Sequence, residues 1–149
     1  MSTRHRGVGA VVTTAHRTLF FVQQKDARYP DYPLGYSFFG GAIDAHEEIG
    51  EALARELREE LGAPASALIA AGPRHLLTTT IHPERAPQSG GFEFSLFEIC
   101  IDQPTLEALA LTPVLEGERG VLVDRGQLRA LPFIWGLETV AFTYLDTLH

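Results

Sequence analysis

Between residues 40 and 62 the chain reads Gly40-Gly-Ala-Ile-Asp-Ala-His-Glu-Glu-Ile-Gly-Glu-Ala-Leu-Ala-Arg-Glu-Leu-Arg-Glu-Glu-Leu-Gly62. A glutamate run of this kind is often no more than the solvated face of a helix. The angular positions argue for chemistry instead. With Ile49 at zero and about 100° per residue, Leu53, Leu57 and Leu61 fall near 40°, 80° and 120° and define a buried stripe. Glu60 falls at about 20° and Glu56 at about −20°, inside or against that stripe, with Glu59 on its shoulder at about −80°. Glu51 and Arg58 face the other way. Carboxylates spaced like this repel one another and lose hydration at the edge of a core, and a buried unpaired carboxylate is costly. Arg55 can reach Glu59 one turn on but points away from Glu56 and Glu60, so a compensating cation is expected. Oxygen ligands without histidine or cysteine suit Mg²⁺ or Mn²⁺ better than Zn²⁺. The Gly40-Gly41 pair lets backbone approach a ligand, and a carbonyl there, that of Gly41, would complete a coordination shell; the alternative is a plain tight turn.

The same residues stand at the spacing of the Nudix signature. That signature is a glycine, five residues, a glutamate, seven residues, then Arg-Glu-aliphatic-x-Glu-Glu-x-Gly and an aliphatic. Gly41, Glu47, Arg55, Glu56, Leu57, Glu59, Glu60 and Gly62 fill it, and only Ala63 is weak, where a larger aliphatic is usual. On those residues the chain resembles the Nudix hydrolases, the MutT-like nucleoside diphosphate-X pyrophosphohydrolases. The motif covers 41–62; beyond it the chain agrees with the family only in length, strand pattern and closing helix.

The resemblance implies a Nudix α/β/α sandwich, with the signature as a loop-helix-loop. Glu56 and Glu60 would be the main metal ligands, with Glu59 coordinating or acting in catalysis. Arg55 would orient the glutamates, and Glu47 would support the helix from the preceding loop. Glu116 is the first candidate for a further carboxylate from a later loop, and Glu118 the second; either is otherwise an ordinary loop charge. Two departures are notable: Phe39 stands where proline is common and His46 where glycine is frequent. Neither alters a glutamate, but both could reshape a substrate pocket.

The activity implied is Mg²⁺-dependent hydrolysis of a diphosphate linkage in a nucleoside di- or triphosphate or a nucleoside diphosphate-X. Glu56 or Glu59 would take the proton of the attacking water, or Glu116 if its loop closes over the site. The alternative is a nucleotide-binding sensor without hydrolysis, which the intact glutamate set disfavours. Residues after Gly62 carry no marker of a substrate subgroup. Tyr29, Tyr32, Tyr36, Phe38, Phe39, Phe133 and Trp135 could touch a base. Of these, Tyr36, Phe39 and Trp135 are assigned to substrate, while Phe38 and Phe133 read better as packing. Cys100 reads as a structural thiol at the end of a buried strand, which counts against the family's isomerase branch. Six histidines show no zinc spacing.

The elements that must position this helix are legible in outline. Residues 7–14 and 19–24 read as an antiparallel hairpin joined by a short turn. Residues 26–36 read as a loop whose tyrosine rings either pack it onto the body or stack a substrate. Residues 37–43 form a short strand, 48–61 the helix stopped by Gly62 and Pro64, and 75–81 and 92–101 two more strands. Residues 120–123 are a candidate strand, and the apolar spacing from Leu137 to Leu148 predicts a closing helix. The fold class is α/β, a mixed sheet flanked by helices, in one domain over residues 1–149.

Composition narrows the partners. A chain of 149 residues buries roughly 70% of its unfolded surface. The net charge of -7 disfavours a nucleic acid polymer, which needs clustered Lys and Arg, and leaves a small phosphorylated substrate, a nucleotide above all. A single cysteine points to a reduced compartment. No apolar run approaches the roughly 18 residues needed to span a membrane, so the cytoplasm is the expected location. Homodimerisation is common in the family.

Overall fold

The structure, a computed structural model, describes residues 5–83, 91–114 and 119–148. Strand β1 (Arg6–Thr13) is its spine. Along one edge β1 pairs in parallel with β6 (Phe92–Cys100), from Arg6↔Glu93 to Thr13↔Cys100. Along the other it is shared. Its first half pairs antiparallel with β4 (Phe39–Ala42), and its end pairs with β2 (Phe20–Gln24) through only Val12↔Phe21 and Thr13↔Phe20. β1 and β2 therefore diverge like a V, and the chain fills the gap. The short strand β3 (Tyr36–Ser37) pairs with β2, and after Phe38 the chain crosses to β1 as β4. β5 (Arg74–Ile81) flanks β6, and β7 (Arg119–Val123) flanks β2, leaving the sheet open.

Period-two alternation sorts the spine's side chains between two cores. Val8, Ala10 and Val12 face the helix α1 (Ile49–Leu61), packing with Phe21, Phe39, Leu53, Leu57 and Leu61. Helices α2 (Ala65–Ala70) and α3 (Gln103–Ala110) cover the same face through Leu68 and Leu106. Val11 faces the other layer, with Phe20, Val22, Phe38 and Leu96. That layer is closed by α4 (Arg125–Ala130) and α5 (Glu138–Asp146) through Leu128, Val140, Ala141 and Tyr144. The result is the expected mixed sheet between helical layers.

The hairpin, the glutamate helix and the closing helix lie where the sequence puts them, within a residue or two. The 26–36 loop is packed down: Tyr29, Tyr32 and Tyr36 are half-buried against the α5-side core. Three short helices, α2, α3 and α4, were not foreseen. Among the described residues no helix is long and apolar enough to cross a membrane.

Candidate functional site

Helix α1 starts where the Glu48 N–H donates to Glu51 Oε1 at 3.1 Å, and stops at Gly62, whose φ of 67° only glycine adopts readily. Its leucine stripe docks on β1 and β4, and that docking carries the glutamates against the paired glycines. Glu60 is 5% exposed. The Gly40 N–H donates to its Oε1 at 2.8 Å, and the Gln23 amide Nε2 donates to its Oε2. One turn back, Glu56 presses on Gly41: a Cβ built there would sit 2.5 Å from the Glu56 carboxyl carbon. At Gly40 the backbone has φ +150°, and a Cβ would lie 2.0 Å from the Val8 carbonyl oxygen. Both positions demand glycine, one for a carboxylate's approach and one for its own backbone. The pair is thus a cradle for Glu56 and Glu60, not merely a turn.

Arg55 departs from the sequence expectation. Its angular position points away from Glu56, yet its long stem curls back and Nη1 donates to Glu56 Oε1 at 3.0 Å. The rest of the guanidinium forks onto Glu47, with Nε and Nη2 each 2.9 Å from a carboxylate oxygen. Nη2 also reaches the Ala42 carbonyl at 2.9 Å, and Nη1 reaches Glu59 at 3.4 Å. Arg55 therefore ties β4, the 43–48 loop and α1 together. It holds the Glu47 carboxyl down to about 2, helped by the Asp44 N–H, while its own ionisation is pushed above the usual arginine range. Burial pushes the Glu56 carboxyl up, and the bond from Arg55 offsets part of that rise. Glu47, in the loop before α1, is bonded to that helix through Arg55. Glu59, with half its side chain exposed, stands at the rim.

Among the described residues no three carboxylate, imidazole or thiolate groups are gathered into a closed metal cage. The donors present still fit a hard cation. Mg²⁺ typically takes one or two carboxylates, keeps several waters and draws the rest of its shell from substrate phosphates. Glu56 and Glu60 supply two carboxylates, both shielded from water, beside the Gly40-Gly41 backbone. Glu116 and Glu118 lie outside the described residues.

A cleft of about 170 Å³ opens beside Gly40 and Gly41, walled by Lys25, Tyr29, Phe92, Phe94 and Trp135. Trp135 has a left-handed backbone, φ 54°. Its indole N–H donates to the Tyr29 hydroxyl at 2.9 Å, and its ring meets Tyr32 edge-on with centroids 4.8 Å apart. Trp135 thus lines the cleft with its indole fixed against Tyr29. Of the other two substrate candidates, Tyr36 lies outside this cleft: its N–H donates to the Pro132 carbonyl and its ring packs on the core. Phe39 is a correction. Being the first residue of β4, it alternates to the α1 side, where it is fully buried and stacked on Phe21 at 4.8 Å. Phe38 and Phe133 do pack together, at 5.2 Å. A larger cavity of about 1060 Å³ between β5 and α5 touches no residue of the glutamate motif.

Two features escaped the sequence reading. Gln23 falls within the strand read over 19–24 with nothing to single it out, and the splay between β1 and β2 brings it to Glu60. Glu98, 3% exposed beneath α5, accepts bonds from both arms of Arg17 at 2.9 and 2.8 Å, from Arg74 at 2.9 Å and from the Tyr144 hydroxyl at 2.6 Å. A glutamate inside the apolar run 94–101 was its only signal. Cys100 is exposed at the strand end instead of buried. Partial desolvation of its sulfur and the neighbouring Glu98 raise its thiol, the wrong direction for a nucleophile.

The chain matches the model of the NUDIX domain over residues 3–126. No curated protein sequence matches it. Its structure resembles a mutT/nudix family protein from Listeria innocua at 15% identity and TM-score 0.72, over 99% of this chain and 95% of that one. It also resembles a MutT structure from work on Aliivibrio salmonicida and Vibrio cholerae, at 16% identity and TM-score 0.65, over 96% and 97% of the two chains. A third likeness is to the Escherichia coli dihydroneopterin triphosphate pyrophosphohydrolase, at 14% identity and TM-score 0.65, over 95% of each chain. At these identities the likeness is one of fold.

Proposed function

The chain belongs to the NUDIX family, and from that premise we propose that it is a Mg²⁺-dependent hydrolase of a diphosphate linkage in a nucleotide-type substrate. The observation that carries the reading is the pair of desolvated carboxylates, Glu56 and Glu60, seated on Gly41 and Gly40 at the mouth of an aromatic cleft. A neighbour named for the pyrophosphohydrolysis of dihydroneopterin triphosphate supports the same bond type.

A divalent cation bound at Glu56, Glu60 and the Gly41 carbonyl, Mg²⁺ or Mn²⁺, would neutralise the diphosphate charge and activate the attacking water. The chain's own residues do the rest. Arg55 takes one of the roughly four lone-pair directions of the Glu56 carboxylate. That leaves others for the cation and for the proton given up as the water oxygen bonds to phosphorus and the anhydride P–O bond breaks, its electrons going to the departing phosphate. Burial keeps Glu56 more basic than an exposed carboxylate, which suits it to that role. Glu59 at the rim can coordinate or relay that proton to solvent. Trp135 and Tyr29, locked to each other by a hydrogen bond, offer flat apolar surface to a base, and Lys25, stacked over Tyr29 at 5.2 Å, offers a positive charge. Helix α5 beyond the family match packs into the same core as β1 and β2, which supports reading residues 1–149 as one domain.

The test is phosphate or pyrophosphate release from a panel of nucleoside triphosphates and nucleoside diphosphate sugars, with and without Mg²⁺. Turnover of at least one compound that disappears on chelation is expected. Tight Mg²⁺-dependent binding without any turnover would favour a sensor.

A further inference from the structure

We propose that Gln23 is a positioning residue for the cation site, holding the Glu60 carboxylate in a fixed plane; the inference rests on the reading of Glu60 as a metal ligand. Gln23 belongs to β2, where it follows Phe20, Phe21 and Val22, and it is itself 0% exposed. An amide that takes the place of an apolar side chain in such a strand carries a desolvation penalty unless it is hydrogen-bonded. Its backbone is pinned in register by Ser37 on β3 and Gly120 on β7. From that rigid base its Nε2 donates to Glu60 Oε2.

The other oxygen of Glu60 is held by the Gly40 N–H on β4. Each oxygen therefore carries one donor from a different strand, and the carboxylate cannot swing about its stem. A carboxylate offers roughly four lone-pair directions, so two donors leave capacity for a cation.

The chemistry of the donor also matters. Glu56 is partnered by a guanidinium, which cancels part of its charge. Glu60 meets a neutral amide at one oxygen and a backbone N–H at the other. Glu56 is thus steadied from its own helix by Arg55, and Glu60 from two strands of the sheet by Gln23 and Gly40.

The test is Mn²⁺ binding followed by electron paramagnetic resonance, without substrate, on wild type, Glu60→Gln, Gln23→Met and Gln23→Asn. Methionine keeps the length and loses the donor; asparagine keeps the donor and loses the reach. Outer-shell partners of metal ligands are worth about 10–100-fold in affinity, and both Gln23 variants are expected to weaken Mn²⁺ by that much. At saturating metal the KM for substrate should not move. A Mn²⁺ dissociation constant within about twofold of wild type in a folded Gln23 variant would overturn the proposal. Loss in Glu60→Gln without loss in the Gln23 variants overturns this proposal alone, whereas unchanged binding in Glu60→Gln sinks the metal reading itself. If neither Gln23 variant folds, the wild-type Gln23 side-chain amide resonances are followed through a Mg²⁺ titration. They are expected to shift with the same midpoint as the Glu60 amide, and a Gln23 signal that does not respond counts against the role.

Discussion

Glu56 and Glu60 lie one turn apart on a single helix, yet the backbone treats them differently. Glu60 is held by hydrogen bonds, whereas Glu56 is held by contact with Gly41 and by Arg55. A methyl group at position 41 would meet the Glu56 carboxyl group 2.5 Å away. That group is the end of a flexible side chain, so it can move aside at little cost to folding but only by leaving its place. Gly41→Ala is therefore expected to leave the melting temperature within a few degrees of wild type while lowering kcat by about tenfold or more, the scale on which displaced catalytic groups fail. A calorimetric scan beside a turnover assay checks both halves. His46 tells a smaller story at the same scale. Its φ of 67° is the left-handed conformation that glycine favours.

At the scale of elements, what was legible followed from periodicity. The 3.6-residue repeat of α1 fixed which glutamates lie on the buried side, and the spacing Gly41…Glu47…Arg55 named the loop that supports them. Strand pairing was not legible in the same way. Whether β1 lies beside β6, in parallel and 87 residues away in sequence, depends on chain topology that no local pattern encodes. Gln23 was hidden for the same reason, because its partner is chosen by how β2 splays from β1. Phe39 was misassigned because the break at Phe38, where the chain leaves β3 and begins β4, decides which face it takes. The short helices were missed although their caps are in the sequence. Asp102 accepts from the Thr105 N–H at 3.2 Å, and Asp124 accepts from the Gln127 N–H at 2.8 Å, with the Gln127 side chain reaching back to the Asp124 N–H. Six and eight residues carry too little apolar repeat to stand out, so the cap is the signal that remains. Asp124→Ala should destabilise the protein by about 1 kcal/mol, readable as a lower urea midpoint with unchanged slope.

Across the whole molecule, the glutamates come from the α1 face of the sheet, whereas the cleft's Tyr29, Phe92, Phe94 and Trp135 belong to the core on the other. The α1 face carries the charged site. The α5 face is locked by Glu98, which joins the β1–β2 turn through Arg17, the edge strand β5 through Arg74 and the closing helix through Tyr144. These bonds hold the Glu98 carboxyl at about 2 against an ordinary value of 4.5, despite the opposing effect of burial. A carboxyl depressed on folding stabilises the native state above its unfolded value and loses that contribution as pH falls. Stability should therefore drop between about pH 4.5 and pH 2, and Glu98→Gln should flatten that part of the curve. Tyr144→Phe removes a bond to a buried carboxylate and should cost about 1.5–3 kcal/mol at neutral pH, with hydrolysis at the opposite face unaffected at temperatures where the variant stays folded. Equilibrium urea unfolding across that pH range tests both.

The central claim is that the paired carboxylates on the glycine cradle do the hydrolysis. It is tested most directly by single-turnover cleavage of the best substrate by wild type, Glu56→Gln and Glu60→Gln in saturating Mg²⁺, with circular dichroism to show that each is folded. The account predicts a fall of about 10²–10⁴-fold for Glu56→Gln, the worth of a positioned acid or base. It predicts a comparable fall for Glu60→Gln that excess metal partly restores. Wild-type cleavage by both folded variants would contradict it.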